Sequence, residues 1–335
     1  MMNRKLLPIA ILLAVYLVAM PLGFRDNSYV IHVFILGSQL SIVALTVRLI
    51  YNVGELTFGQ VAFVMVGAYS SALLTTQAGL SFWLALPLSG IVSAGFAALI
   101  GFPVLRLKGT YFAMLTLILV EVMRYGVKAT DFLGGPRGFM GIPRPEAIQI
   151  GSFILIPEFN AIDKLPYYYL MAGLFIFTIL VLWRLDRSPI GAAFRAIRQD
   201  DALAASTGIN VMKYKILAFS ISAFFTGLVG SFAAHYMTVF YPETFSLWDS
   251  IYYVLYAFLG GIGYLWGPVV GAFGLTWLWE FLHPVAQFQR MVFSGAIITM
   301  ILFLPGGLFS LEKYFPLWRA KFSKSFRSKH QERGY

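Results

Sequence analysis

Long apolar runs without a single charge dominate the chain and leave few folds open to it. Leu6–Met20, Ser81–Phe102 and Met291–Leu304 contain no Asp, Glu, Lys or Arg. A spanning helix needs about 20 predominantly apolar residues, and ~17 suffice when it packs short. Lipid offers a backbone amide no partner, whereas an α-helix satisfies its own, so such runs read as membrane helices. The charged share agrees: 12% of the 335 residues, against roughly 25% in soluble domains. The expected fold class is all-α, a polytopic integral membrane protein.

Hydropathy places about ten transmembrane helices, at 6–23, 29–48, 58–77, 81–102, 109–127, 166–184, 214–236, 248–262, 264–282 and 287–305. An even number puts both termini on one side, and the basic residues say which. With the termini inside, roughly eighteen of the 25 Lys and Arg are cytoplasmic, including Arg48, Lys108, Arg195, Arg198 and the tail 306–335. Positive charge favours the cytoplasmic face, so this orientation is expected. It makes 128–165 an external loop and 185–213 a cytoplasmic one. The net charge of +10 is accounted for by these segment ends, and a nucleic-acid partner is not expected. Leu6–Gly23 lacks a small-residue cleavage site and reads as the first span.

Two places interrupt the helical pattern. Asn52-Val53-Gly54-Glu55-Leu56-Thr57-Phe58-Gly59-Gln60 heads the third span, and Leu259-Gly260-Gly261-Ile262-Gly263 with Gly267-Pro268 divides 248–282. The latter reads either as two spans or as a re-entrant pair. Glycine-broken segments in comparable positions of two halves are the pattern of inverted repeats with the pathway between them.

Chemistry of other kinds is missing. No G-x-x-x-x-G-K-[ST] loop is present, so ATP binding in the usual way is not expected. There is no G-x-S-x-G turn, and no cysteine. The four histidines, His32, His235, His283 and His330, lack metal-ligand spacing and read as interfacial or tail residues. No catalytic, metal or cofactor site is therefore expected. Carboxylates at membrane depth are few: Glu55 in the break, Glu121 about 18 Å along its helix from Gly109 at ~1.5 Å per residue, and Asp249 and Glu280 at span ends, where they read as solvated.

The segment 185–213 is the most informative. Ser188 before Pro189 reads as an N-cap with proline at the first helical position. Ile190, Phe194 and Ile197 share one helical face, with Arg195 and Arg198 beside it. Asp200 and Asp201 open a second stretch, and Gly208 stops it. The segment reads either as a lipid-anchored amphipathic helix or as a docking helix for a cytoplasmic partner.

These residues, with four further blocks in order, resemble the LivM-type permease subunits of branched-chain amino acid ABC importers. The blocks are Gly54–Phe63 leading to Gly67-Ala68-Tyr69, Arg106–Leu117, Leu133–Gly138 with Gly141-Ile142-Pro143, 185–215, and Leu259–Gly263 with Gly267-Pro268 and Gly271-Ala272. The resemblance implies a LivH-like second permease, two cytoplasmic ATPases using ATP and Mg, a periplasmic solute-binding protein, and a bacterial inner-membrane location. It makes 185–213 the coupling loop, with Arg195, Arg198, Asp200 and Asp201 as ATPase contacts and Gly208 as its turn. Ala202 stands where the wider importer pattern has glutamate. Glu55 and Gln60 stand where glutamine and histidine are expected, which widens the solutes to urea, short amides and other small polar molecules. Asn52, Glu55, Thr57, Gln60, Thr110, Thr116 and Glu121 are the pathway candidates. An ion-coupled secondary carrier and a membrane enzyme are the rival readings.

Overall fold

The computed structural model describes residues 16, 23–25, 27–150, 153–156, 158–282, 288–303 and 307, with the side chains of 148–150, 153–156, 290, 296 and 300–303 left aside. The first expected span, 6–23, and the tail 306–335 lie outside the described residues, apart from isolated positions.

Each of the other nine expected segments contains a helix. In chain order these are α1 (Ser28–Tyr51), α2 (Gln60–Thr76), α3 (Phe82–Val104), α4 (Thr110–Lys128), α5 (Leu165–Asp186), α8 (Val211–Met237), α9 (Leu247–Gly260), α10 (Gly267–Phe281) and α11 (Gln289–Phe303). Two short helices, α6 (Pro189–Gln199) and α7 (Asp201–Ser206), lie between α5 and α8. Among the described residues, five helices, α1, α3, α4, α5 and α8, are long and apolar enough to cross a membrane by length and composition. The all-α expectation needs one amendment. Short strands occur in the loops: β1 (Phe139–Met140) pairs with β4 (Val239–Phe240), and β2 (Ile148–Ile150) with β3 (Phe153–Ile156).

Successive long helices run in alternate directions, as their contacts show. Along α8, Lys215 meets Glu55, Ser222 meets the Thr46 carbonyl and Tyr236 meets His32, so α8 is antiparallel to α1. α2 runs with α8: Gln60 bonds Ser222, and Ser71 bonds His235. The segment 248–282 is an antiparallel hairpin. Phe258 of α9 meets Tyr51 edge-on, and Phe273 and Trp277 of α10 pack on Phe34 near the other end of α1. Its turn therefore sits level with the C-terminus of α1.

The centre is α8, which α2 and α3 approach at backbone distance. A β-carbon on Gly67 would lie 2.2 Å from the Gly227 carbonyl oxygen, and one on Gly230 would lie 2.0 Å from the Val64 carbonyl oxygen. On the α3 side a β-carbon on Gly227 would lie 3.0 Å from the Ser89 carbonyl oxygen, and Ser93 of α3 donates to the Phe63 carbonyl of α2 at 3.0 Å. Apolar lipid gives helices no hydrophobic reason to associate, so small residues that permit close packing hold such a bundle.

His235 departs from the interfacial reading. It has 0% exposure and joins α8 to α2 and to the loop that follows α4. Its Nδ1 lies 2.6 Å from the Pro143 carbonyl and its Nε2 3.0 Å from the Ser71 hydroxyl, which accepts from Ser231 at 2.7 Å. A carbonyl can only accept, so Nδ1 carries the proton and Nε2 accepts from Ser71. Asp249 and Glu280 are not simply solvated ends either. Asp249 caps α9 through the Ser246 N–H at 3.1 Å, and Glu280 accepts from the Tyr29 hydroxyl.

Candidate functional site

The segment between α5 and α8 forms as its local signals dictate. Ser188 accepts from the Gly191 N–H at 3.3 Å, and Pro189 opens α6. Phe194 and Ile197 are buried, and the Phe194 ring meets Tyr214 edge-on. Asp200 is extended and ends α6. Its carboxylate accepts from the Ala202 and Leu203 N–H groups at 2.8 and 3.0 Å, which starts α7. Two helices thus share one hinge residue. Gly208 then takes a φ of +87°, a conformation that costs other residues roughly 1–2 kcal/mol.

This helical pair rests on the break between α1 and α2. Gly54 has a φ of +86°, and a β-carbon there would lie 3.4 Å from the Arg198 Cα. The Arg198 guanidinium sits 4.0 Å over the Tyr51 ring. Ion pairs tie the two together. Nζ of Lys215 lies 2.8 Å from Glu55 and 3.0 Å from Asp201, and Lys108 reaches the same Asp201 oxygen at 2.7 Å. The other Glu55 oxygen accepts from the Gly109 N–H at 3.1 Å, at the head of α4. Beside this cluster, Asp186 pairs with Arg48 at 2.9 Å and accepts from Asn52 at 3.4 Å. Arg195 donates to the Asp186 carbonyl at 2.7 Å.

Glu55 and Lys215 are each only 3% exposed. Two ions so buried lose several kcal/mol of hydration each, and their mutual attraction roughly offsets that loss. Their net stabilisation is small, yet removing either alone strands a charge. The cluster balances, with two carboxylates against two ammoniums. Asp201 is drawn two ways: burial pushes its carboxyl up, and the hydrogen bonds and positive charges of Lys108 and Lys215 together outweigh this and hold it below its ordinary value. The hydrogen bond to Asp201 raises Lys108.

Irregular backbone inside a membrane protein must find partners for its amides, and the pathway candidates supply several. The Phe58 N–H donates to Thr116 at 3.1 Å, and the Gly59 N–H to Thr57 at 3.0 Å. Gln60 donates to Ser222 at 2.9 Å, and Ser222 also lies 3.4 Å from the Thr46 carbonyl. Asn52, Glu55, Thr57, Gln60 and Thr116 therefore gather around the break. Thr110 is exposed at the head of α4, and Glu121 stands apart, paired with Arg124. Of the coupling candidates, Arg195, Arg198, Asp200 and Gly208 are exposed, and Asp201 is turned inward.

Sequence reasoning missed Lys215, Lys108, Asp186 and Arg48. The signal was present for two of them: Arg48 and Lys215 are charges inside apolar helical stretches, and such residues face protein rather than lipid.

Residues 29–304 match the family described as branched-chain amino acid transport system / permease component. The chain belongs to that family. It is a multi-pass membrane protein of the permease type. Two relatives are the high-affinity branched-chain amino acid transport system permease proteins LivM of Salmonella typhimurium strain LT2, 32% identical, and of Escherichia coli strain K12, 31% identical. Each alignment covers 275 residues, 78% of this chain and 65% of the relative. The chain thus spans about two thirds of the length of these relatives. No solved structure matches it.

Proposed function

We propose that this chain is a transmembrane subunit of an ATP-driven importer for branched-chain amino acids or related small polar solutes. The observation that carries this reading is the α6–α7 unit latched by ion pairs to the break that starts α2. A solvent-facing helical pair joined to interior elements can carry a push from a cytoplasmic partner inward, which a lipid anchor has no need to do. Closure of two ATPases would move α6 and α7, and the break and the head of α4 would follow, rocking one group of helices against the other. Exposed Arg195, Arg198, Asp200 and Gly208 are the ATPase-facing residues on this reading. Asp201 is the inner link. The residues around the break border the pathway.

The remaining parts follow the family. The chain is one membrane domain of ten spans with inverted repeats, in a bacterial inner membrane, with both termini cytoplasmic. Residues 128–165 meet a periplasmic solute-binding protein, and the tail 306–335 is cytoplasmic. A LivH-like permease stands beside it, and ATP and Mg are used by the partner ATPases.

Purification of the tagged chain from gently crosslinked membranes tests this, read by mass spectrometry of what accompanies it. Two ATPases and a second permease are expected. Arg195→Glu with Arg198→Glu should lose the ATPases and leave membrane insertion unchanged. A chain that purifies alone and still transports without ATP would make the secondary carrier the better account.

A further inference from the structure

A cavity of about 200 Å³ lies among α1, α2, α8 and α9, on the far side of the break from the coupling loop. Gln39, on its wall, is about 18 Å along α1 from Tyr51 at ~1.5 Å per residue. The hydrocarbon core is about 30 Å thick, so the cavity is near mid-depth, where transporters hold their solutes.

Its lining is mixed in a specific way. Leu40, Val43, Val64 and Val229 make the wall branched and apolar. Four polar side chains interrupt it: Gln39, Thr244, Asp249 and Tyr253. Gln39 is 7% exposed, and its Nε2 has no hydrogen-bond partner among the described residues. A buried donor left unpaired costs about 1–3 kcal/mol, so the Gln39 amide gains by donating to an acceptor inside the cavity. Asp249 uses one oxygen on the Ser246 N–H, and no described cation pairs with it. A carboxylate beside an apolar cavity attracts a cation.

We infer that this cavity is a transit site for a zwitterionic α-amino acid with a branched aliphatic side chain. The ammonium faces Asp249, the carboxylate accepts from the Gln39 amide, and the side chain lies on the valine and leucine wall. The size fits. An apolar cavity of about 150 Å³ admits benzene, so this one admits roughly eight non-hydrogen atoms, the scale of a branched-chain amino acid. The inference rests on the permease reading above, and it adds what that reading leaves open, namely which residues meet the solute.

Two measurements on membranes holding the assembled complex test it. The first is ATP-driven uptake of labelled leucine. Asp249→Asn, which keeps an acceptor for the Ser246 amide, should lower uptake roughly ten- to a hundredfold, the worth of one charge-assisted bond. Ala233→Phe, at the cavity wall, should abolish it. Wild-type rates in both variants at normal membrane abundance overturn the site and leave the importer standing. The second measurement does not depend on transport. The chain has no cysteine, so Thr244→Cys at the cavity edge gives this chain a single target for a small maleimide, read by mass spectrometry of the chain itself. Millimolar leucine should slow its alkylation, and adding Asp249→Asn should remove that protection. Alkylation indifferent to leucine overturns the site. Absence of ATP-driven leucine uptake by the unsubstituted complex overturns the importer reading instead, and leucine protection of the cysteine still decides the cavity.

Discussion

Replacing Lys215 by methionine should release the coupling loop from the helix break, and the ion-pair geometry sets how far. Lys215 serves two carboxylates, Glu55 at 2.8 Å and Asp201 at 3.0 Å. Without it, Asp201 keeps Lys108, whereas Glu55 keeps only the Gly109 N–H. A carboxylate as buried as Glu55 is then uncompensated, and breaking a buried pair from one side costs about 3–5 kcal/mol. At tenfold per 1.4 kcal/mol, local opening rises roughly a hundred- to a few thousandfold. Amide hydrogen exchange of peptides covering 52–60 and 200–208 reads that change directly. Glu55→Gln should be milder, about tenfold, because Lys215 retains Asp201. The double variant, lacking both charges, should recover most of what Lys215→Met loses, since a missing pair is tolerated better than half of one. Exchange within threefold of wild type in Lys215→Met, or additive effects in the double variant, would refute the latch.

Protonation probes the same link. The folded Asp201 carboxyl lies below its ordinary value, so its contribution is full above ~pH 4 and fades as pH falls through the folded value. Lys108 is raised, so its contribution is full below ~pH 10 and fades as pH rises through the folded value. Exchange in α7 should therefore be flat from about pH 5 to 9 after correction for intrinsic rates, and Asp201→Asn should abolish the acid limb. At the helical seam, Gly230→Ala should sharply reduce folded protein in detergent, because its β-carbon would meet the Val64 carbonyl oxygen at 2.0 Å. Gly95→Ala, with nothing within 4 Å, should leave the size-exclusion profile unchanged. Arg198→Ala should loosen the end of α6 by about 0.5–1 kcal/mol through loss of its seat on Tyr51, seen as two- to fivefold faster exchange there.

What could be read from the chain alone was local. Nine apolar segments coincide with helices because burial in lipid acts on each run separately, and α6 and α7 begin and end where Ser188, Pro189, Asp200 and Gly208 place them. The broken segment at 52–59 was legible too, since Gly54 and Gly59 interrupt an otherwise helical run. Which polar residues meet was not legible. Lys215 finds Glu55 across 160 positions, and His235 finds Ser71 across 164. Such meetings depend on the rotation of each helix about its axis and on the close approach that Gly67, Gly227 and Gly230 permit. Neither leaves a periodic mark. His235 looked like an interfacial residue and Asp249 like a solvated end for the same reason: depth along a helix is readable from sequence, whereas the direction a side chain faces in the bundle is decided by packing. Hydropathy and capping therefore determined that this is a helical membrane protein with a structured loop, and tertiary packing alone decided that the loop is latched to the helix break and that Gln39 and Asp249 share one cavity.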